Sequence, residues 1–340
     1  MTPPVSHRRH FAWWLVAILL VLPGVARRAS GQALDPDFPP EQQLAGAIDS
    51  GSLVAVRRML DAGADPNTPY DGATPLVRAI VRSKSYVVQL LCQYGATVDA
   101  RDDDGWTPLF WAIARGETKI AGLLIEHGAN IRSLETRHLQ SPLHVAAAHG
   151  HTPLVVLLMK QGAPLELRDR FGETALSEAA FGGHAQVVDL MVKQGLAVEW
   201  PLHVAAGLGD RQRALELIRG GADINAPTRG WQNTPLAYAV GGGQLEMAKW
   251  LVEQGAAIDS RNVAGATPLH IAAGHERTEI ARWLVERDNS LTRALDNEGL
   301  TPREWSRNET IRQLLAPTTA AADPRGSQRN TARSSGDSGG

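Results

Sequence analysis

Thr267-Pro268-Leu269-His270-Ile271-Ala272 decides how this chain is read, because related stretches begin at Thr74, Thr107, Ser141, Thr174, Trp200, Thr234 and Thr301. Successive starts lie 33, 34, 33, 26, 34, 33 and 34 residues apart. One structural unit is therefore copied along most of the chain. Five residues after each start stands a small residue: Ala79, Ala112, Ala146, Ala179, Ala205, Ala239, Ala272 and Ser306. Most copies then place a glycine (Gly116, Gly150, Gly183, Gly209, Gly243), an apolar run such as Val155 to Met159, and a closing Gly-Ala such as Gly162-Ala163.

Each mark has a physical reading. A proline just after Thr suits the first turn of a helix, where its missing N–H leaves no bond unmade. The mid-copy glycine stops that helix, and the apolar run at helical spacing predicts a second helix packed antiparallel to the first. Gly-Ala ends the second helix before a turn-rich stretch.

This grammar resembles the ankyrin repeat family, whose Thr-Pro-Leu-His-x-Ala hallmark is met in full at Thr267 to Ala272. The resemblance covers roughly residues 41–315 and implies an all-α solenoid of about nine helix-turn-helix units with short β-hairpin fingers. Units start near residues 41, 72, 105, 139, 172, 199, 232, 265 and 299. The first unit is found by copying the register backwards: Gln42 takes the Thr place, Leu44 and Ala47 keep the core marks, and Gly51 the break. In the last, Arg303 replaces Leu and the second helix shrinks to about Thr310 to Leu315. Both departures suit terminal units that present a polar outer face. A single core for 340 residues would be unusually large, whereas stacked units bury a continuous core at any length.

One copy is short. From Gly195 to Pro201 the chain runs from one helix almost directly into the next, with no room for a finger, and Trp200 replaces the usual Thr. The expectation is a gap in the row of fingers and the weakest joint of the array, unless Trp200 packs across it.

Upstream, Arg8-Arg9 precede an apolar run from Phe11 to Leu22, and small residues lead to Gly31-Gln32-Ala33. Residues 1–33 read as a secretory signal peptide cut after Ala33 or Ala26, with an uncleaved membrane anchor as the alternative. Arg8-Arg9-His10-Phe11 also resembles a twin-arginine signal, the other reading being an ordinary basic leader. An exported protein, periplasmic or secreted, is expected. A linker follows at 34–40, and the Ala/Pro/Ser/Gly/Arg-rich tail at 316–340 reads as disordered. The formal net charge of −2 becomes −6 once Arg8, Arg9, Arg27 and Arg28 leave with the leader, which argues against nucleic acid as a partner.

Enzyme and metal motifs are missing from the sequence: it has no His-Glu-x-x-His, Cys-x-x-Cys, Gly-x-Ser-x-Gly or phosphate-loop signature, and no cofactor is expected. Cys92, the only cysteine, takes the second-helix register of Leu60, Ile125, Met159 and Val192 and reads as a small core residue. Asp102-Asp103-Asp104 reads as a charged finger, since calcium needs ligands alternating along a closed loop. The resemblance implies that His144, His203 and His270 hydrogen-bond turn backbone.

It also implies a protein partner, held by the fingers and by the exposed side of the first helices. The family's variable positions fall on Tyr70, Asp71, Arg82, Asp103, Asp104, Trp106, Arg115, His138, Gln140, His149, Arg170, Phe171, Glu173, Phe181, Trp231 and Asn233. Trp106, Phe171, Phe181 and Trp231 are the candidate anchors, because aromatics and Arg dominate interface energetics; packing against a neighbouring finger is the competing reading. Trp111, Trp250, Trp283 and Trp305 are expected to face the core. Early fingers are acidic (Asp71, Asp102 to Asp104) and middle ones basic (Arg132, Arg137, His138, Arg168, Arg170), a pattern that would steer a partner into one register.

Overall fold

The computed structural model describes residues 38–102 and 105–316. The expected leader, most of the linker, nearly all of the tail, and Asp103 and Asp104 lie outside the described residues.

Helices come in pairs, one per unit. They are α1 (Pro40–Ser50) and α2 (Leu53–Asp61), α3 (Pro75–Val81) and α4 (Ser85–Gln93), α5 (Pro108–Ala114) and α6 (Thr118–Glu126), α7 (Pro142–Ala148) and α8 (Thr152–Lys160), and α9 (Ala175–Phe181) and α10 (Ala185–Lys193). The second half adds α11 (Pro201–Leu208) and α12 (Arg211–Arg219), α13 (Pro235–Gly241) and α14 (Leu245–Glu253), α15 (Pro268–Gly274) and α16 (Thr278–Arg287), and α17 (Pro302–Trp305) and α18 (Glu309–Leu314). The first helices stack in one row and the second helices in another. No helix among the described residues is long and apolar enough to cross a membrane.

The helix ends follow the sequence marks. Thr74, Ser141, Thr174 and Thr234 each accept a hydrogen bond from the backbone N–H three residues on, and a proline opens eight of the nine inner helices, with Ala175 in its place at α9. Trp200 has no hydroxyl, and α11 begins without a side-chain cap. The inner helices are short because they are buried on nearly every side: Pro108, Leu109, Phe110, Ala112, Ile113 and Ala114 of α5 are all interior. The outer helices bury one stripe, as Val87, Val88, Leu90 and Leu91 do on α4. Each fully buried Leu or Ile of this core contributes about 1.5–3 kcal/mol.

Three expectations need correction. Among the described residues the fingers form no sheet, only isolated bridges at Tyr70 with Ala73 and Arg168 with Thr174, because each arm is too short to extend a ladder. Cys92 is half-buried rather than interior, since its register lies on the flank of the outer helix, where Val192 is exposed. Trp250 and Trp305 are buried, but Trp111 and Trp283 only pack against the edge of the core.

Candidate functional site

Five of the fingers are built around one acidic or amide side chain, that of Asp102, Glu135, Asp169, Asn262 or Asp296, whereas Thr228 holds that place in the finger entering unit 7. Asp169 Oδ1 accepts the N–H groups of Phe171 (2.8 Å) and Glu173 (2.9 Å), and Asn262 Oδ1 takes those of Ala264 and Ala266 (3.0 Å each). Asp102 Oδ1 receives Trp106 N–H (2.8 Å), while its other oxygen receives the Trp111 indole N–H (2.9 Å). Asp296 and the Trp305 indole repeat that arrangement at 2.8 Å. The finger entering unit 2 is the tightest, a two-residue turn with Asp71 and Gly72 both at positive φ.

Adjacent fingers are joined to each other. The Arg101 guanidinium donates to Gly105 O in its own finger and Leu134 O in the next, both at 2.8 Å, and Arg261 does the same to Gly265 O and Leu295 O at 2.7 Å. His144 and His270 add a second link: each ring meets the helix-capping hydroxyl through Nδ1 and the next finger's carbonyl through Nε2, Glu173 O at 3.2 Å and Leu300 O at 3.1 Å. His203 Nε2 reaches Ala226 O at 2.9 Å. Burial holds the His144 and His203 imidazoles near a pKa of about 4, so both stay neutral and suited to these bonds.

The candidate residues separate into three groups. Asp71 and Arg170 are exposed, and Tyr70, Arg82, Trp106, Arg115, His138, His149, Phe171, Phe181 and Trp231 are half-buried. Gln140, Glu173 and Asn233 are corrected from surface to interior, at 4%, 5% and 7% exposure. They stand just before the helix cap, on the returning arm of the finger, where the neighbouring finger covers them; Asn233 Oδ1, for instance, receives Asn262 Nδ2 at 3.1 Å. Arg82 is tied to Asp49 at 3.1 Å, beside the Arg78–Asp49 pair at 2.9 Å. Arg115 makes no ion pair among the described residues, and its Nε is buried without a hydrogen-bond partner.

The aromatic anchors mostly contact the protein itself. Trp106 lies 5.4 Å from Trp111 and 5.8 Å from Phe110, ring centre to ring centre. Phe171, in the finger entering unit 5, stacks on Trp231, in the finger entering unit 7, with centroids 3.8 Å apart. Phe181 at the end of α9 packs edge-on against Tyr238 (5.1 Å) and against His275 of unit 8 (5.3 Å). The expected gap is therefore closed. With no finger in unit 6, the flanking fingers meet directly, and Glu199 in the short connection takes the place of the absent carbonyl by pairing with Arg168 at 2.8 Å. Trp200 does not bridge the two sides; it packs edge-on against His203 of its own unit.

Glycines permit this closeness. A Cβ on Gly230 would lie 1.7 Å from Phe171 O, one on Gly207 2.1 Å from Ala180 O, and one on Gly242 2.2 Å from Gly207 O. The turns of units 5 and 7 also touch, Gly183 against Gly242. Nothing in the spacing alone announced these contacts, although the concentration of glycine at 182–183, 207–209, 220–221, 230 and 241–243 was a signal.

Two clusters of titratable groups gather at the closure. On the turn side, burial, with repulsion from His151 and His184, pushes His149 to about 4, and burial, with repulsion from Arg277 and then from His149 and His184, pushes His275 to about 3; His151 and His184 also lie below the usual imidazole range. On the finger side, burial raises Asp169 to about 6, and Glu173 and Glu178 rise with it, Glu178 well above the carboxylate range because Asp169 and Glu173 add to its desolvation. Glu178 was missed by the sequence reading; the signal was a carboxylate where other copies hold Val145, Val204, Tyr238 and Ile271. Among the described residues no group of three or more His, Cys, Asp or Glu is arranged to hold a metal ion.

Comparison with known proteins agrees with the architecture. A family model for ankyrin repeats (3 copies) matches residues 44–135 and 202–294, and one for ankyrin repeats (many copies) matches 143–192. The mouse ankyrin repeat and SOCS box protein 16 is 30% identical over 234 residues, covering 69% of this chain and 48% of that protein. Human palmitoyltransferase ZDHHC13 is 40% identical over 136 residues, 37% of this chain and 22% of the relative. The transient receptor potential cation channel subfamily A member 1 homolog of Caenorhabditis elegans is 30% identical over 132 residues, 36% of this chain and 11% of the channel. The chain thus spans less than half the length of each of these relatives.

Proposed function

This chain belongs to the ankyrin repeat family, a fold of protein–protein interaction modules, and on that premise we propose that it is an exported, non-enzymatic module that binds a protein partner on its fingers and inner helix ends. The observation that carries the reading is the set of side chains left for a partner before the closure: Tyr70 and Asp71 on one finger, and Arg115, with no ion pair of its own among the described residues, at the end of α5. Aromatic and Arg side chains on a rigid scaffold are the usual anchors of protein recognition. Export rests on the sequence of residues 1–33 alone.

A photo-reactive amino acid in place of Arg115 should trap a protein when the chain is expressed in its native host, and the same group in place of Gln186, exposed on an outer helix, should not. Equal trapping at both sites, or none at Arg115, overturns the binding face. For export, a reporter fused after Ala33 should reach the exported compartment. Full-length chain found only in the cytosol overturns that half of the proposal, and Arg8-Arg9→Lys-Lys separates the twin-arginine route from the general one.

A further inference from the structure

The tips of the fingers entering units 4, 5, 7 and 8 differ in chemistry from the rest of the row. Between the side chain that gathers each finger and the arm that returns to its helix, they hold residues 136–139, 170–172, 229–232 and 263–265, and none of these is Asp or Glu. The finger entering unit 2 carries Asp71 at this point, and the one entering unit 9 carries Glu298. In their place stand Leu139, Phe171, Trp231 and Val263, with Arg170 and Arg229 beside them. Leu139 and Val263 are 40% and 43% exposed, and Phe171 and Trp231 keep part of their surface uncovered. Both arginines are exposed. Arg170 donates to Thr136 O at 3.2 Å, and neither guanidinium pairs with a carboxylate among the described residues.

The four tips form one surface because unit 6 has no finger. Phe171 and Trp231 stack 3.8 Å apart across the place of the missing finger, and the His138 ring lies 5.9 Å from Phe171. Arg170 N–H donates to His138 O at 2.6 Å, and Val263 N–H to Trp231 O at 2.9 Å. The backbone supplies a second, independent observation. The left-handed residue of the tip is Gly105, Gly172, Gly265 or Gly299 in other fingers, but Leu139 and Gln232 hold it at φ 59° and 56°. A bulky side chain strains that conformation, and a leucine so exposed lies outside the core. The fold thus tolerates at Leu139 a strain that glycine would remove, for a side chain that faces outward.

We propose that these four fingertips form a platform for a short acidic segment of the protein partner, an apolar side chain of the segment packing on Leu139, Phe171, Trp231 and Val263 while its carboxylates meet Arg170 and Arg229. The inference rests on the reading that the chain binds a protein, and names the chemistry of the part it holds. Charge complementarity selects the occupant, since a guanidinium without a carboxylate of its own, beside apolar surface, is best satisfied by a carboxylate brought in by the partner. Aromatic and Arg side chains together are also the usual composition of a binding hot spot. The Phe171 and Trp231 rings are already stacked on each other, which leaves no slot for a nucleic-acid base between them. Because the tips are tied to one another in advance, little ordering is left for binding to impose. The short unit then has a purpose: a finger in unit 6 would hold Phe171 and Trp231 apart.

The test uses the chain from Leu34 onward and the fluorescein-labelled peptide Glu-Glu-Phe-Glu-Glu, with Gln-Gln-Phe-Gln-Gln and Glu-Glu-Ala-Glu-Glu as comparisons, titrated by fluorescence anisotropy. The first peptide should bind, and each comparison peptide should bind about tenfold more weakly. Arg170→Gln combined with Arg229→Gln should weaken binding about tenfold, whereas Arg57→Gln, an exposed arginine on α2, should leave it unchanged. Leu139→Gly gives a readout that a merely structural role would not: the variant should melt at a higher temperature, because the strain is relieved, and yet bind the peptide several-fold more weakly. Absence of binding, equal binding of the Gln peptide, equal effects of the Arg57 and paired arginine variants, or native binding by Leu139→Gly overturns the platform. Tighter binding of an oligothymidine or of phosphatidylserine vesicles than of the acidic peptide overturns the choice of occupant. Trapping at Arg115 without peptide binding removes the platform alone, and peptide binding without that trapping supports the platform and removes only the contact at α5.

Discussion

At the scale of single residues, the turn between paired helices asks for one left-handed residue in each of the first eight units. Gly51, Gly116, Gly150, Gly183, Gly209 and Gly243 supply it with φ between 67° and 77°, but Ser83 and Glu276 occupy the same turn at φ 56°. Left-handed backbone costs a residue with a Cβ about 1–2 kcal/mol, and the Glu276 side chain is exposed. Glu276→Gly should accordingly raise stability by about 1 kcal/mol in urea melts. Asp169 offers a prediction in pH. Its carboxyl keeps its proton up to about 6 in the fold against 3.8 ordinarily, so the protonated fold is favoured fully below about 3.8, and that favour is lost as pH rises through 6. Asn262 shows that an amide can hold a finger equally well. Asp169→Asn should therefore gain on the native chain between pH 4 and 6, reaching on the order of 2–3 kcal/mol at pH 8, as compared in denaturant midpoints. The sequence made the capping Thr, the tetrapeptide histidines and the stop glycines legible, because each acts within its own unit. It misplaced Gln140, Glu173 and Asn233, whose burial depends on a neighbouring finger.

Among the elements, helices were legible and fingers less so. Proline starts, glycine stops and apolar stripes are local, and the inner and outer helices of each unit follow them. The fingers were expected as hairpins, yet a side-chain carboxylate or amide gathers the N–H groups that a ladder would otherwise use. The α11 helix departs most from its copies. Gly207 sits inside it, where alanine ordinarily stabilises a helix by about 1 kcal/mol. Here a Cβ would lie 2.1 Å from Ala180 O on α9. Gly207→Ala should lower stability by about 1–3 kcal/mol, the usual cost of overpacking, and a rise in melting temperature would show that α9 and α11 are looser than their contact implies. Leu143 on α7, fully buried, provides the ordinary comparison: Leu143→Ala should cost about 2–5 kcal/mol through the cavity it leaves.

For the whole molecule, the missing finger changes how stability is distributed. An array whose units touch only their neighbours is a sum of local interfaces, and a unit without a finger should then be its weakest joint. That expectation came from counting residues, which cannot show that removing a spacer lets its neighbours meet. In the structure units 5 and 7 touch through Phe171 with Trp231 and Gly183 with Gly242, and unit 5 reaches unit 8 through Phe181 and His275. Coupling beyond the nearest neighbour should make units 5 to 8 open more cooperatively than units that touch only their neighbours. Hydrogen exchange should consequently protect the Leu190 to Ala205 junction at least as well as the Leu157 to Ala179 junction. Phe171→Ala and Trp231→Ala, made singly and together, should reveal a coupling of about 0.5–1.5 kcal/mol, the range for a packed aromatic pair. Strictly additive losses, together with faster exchange at Leu190 to Ala205, would return the fingerless unit to the role of a hinge, with two half-arrays moving about it.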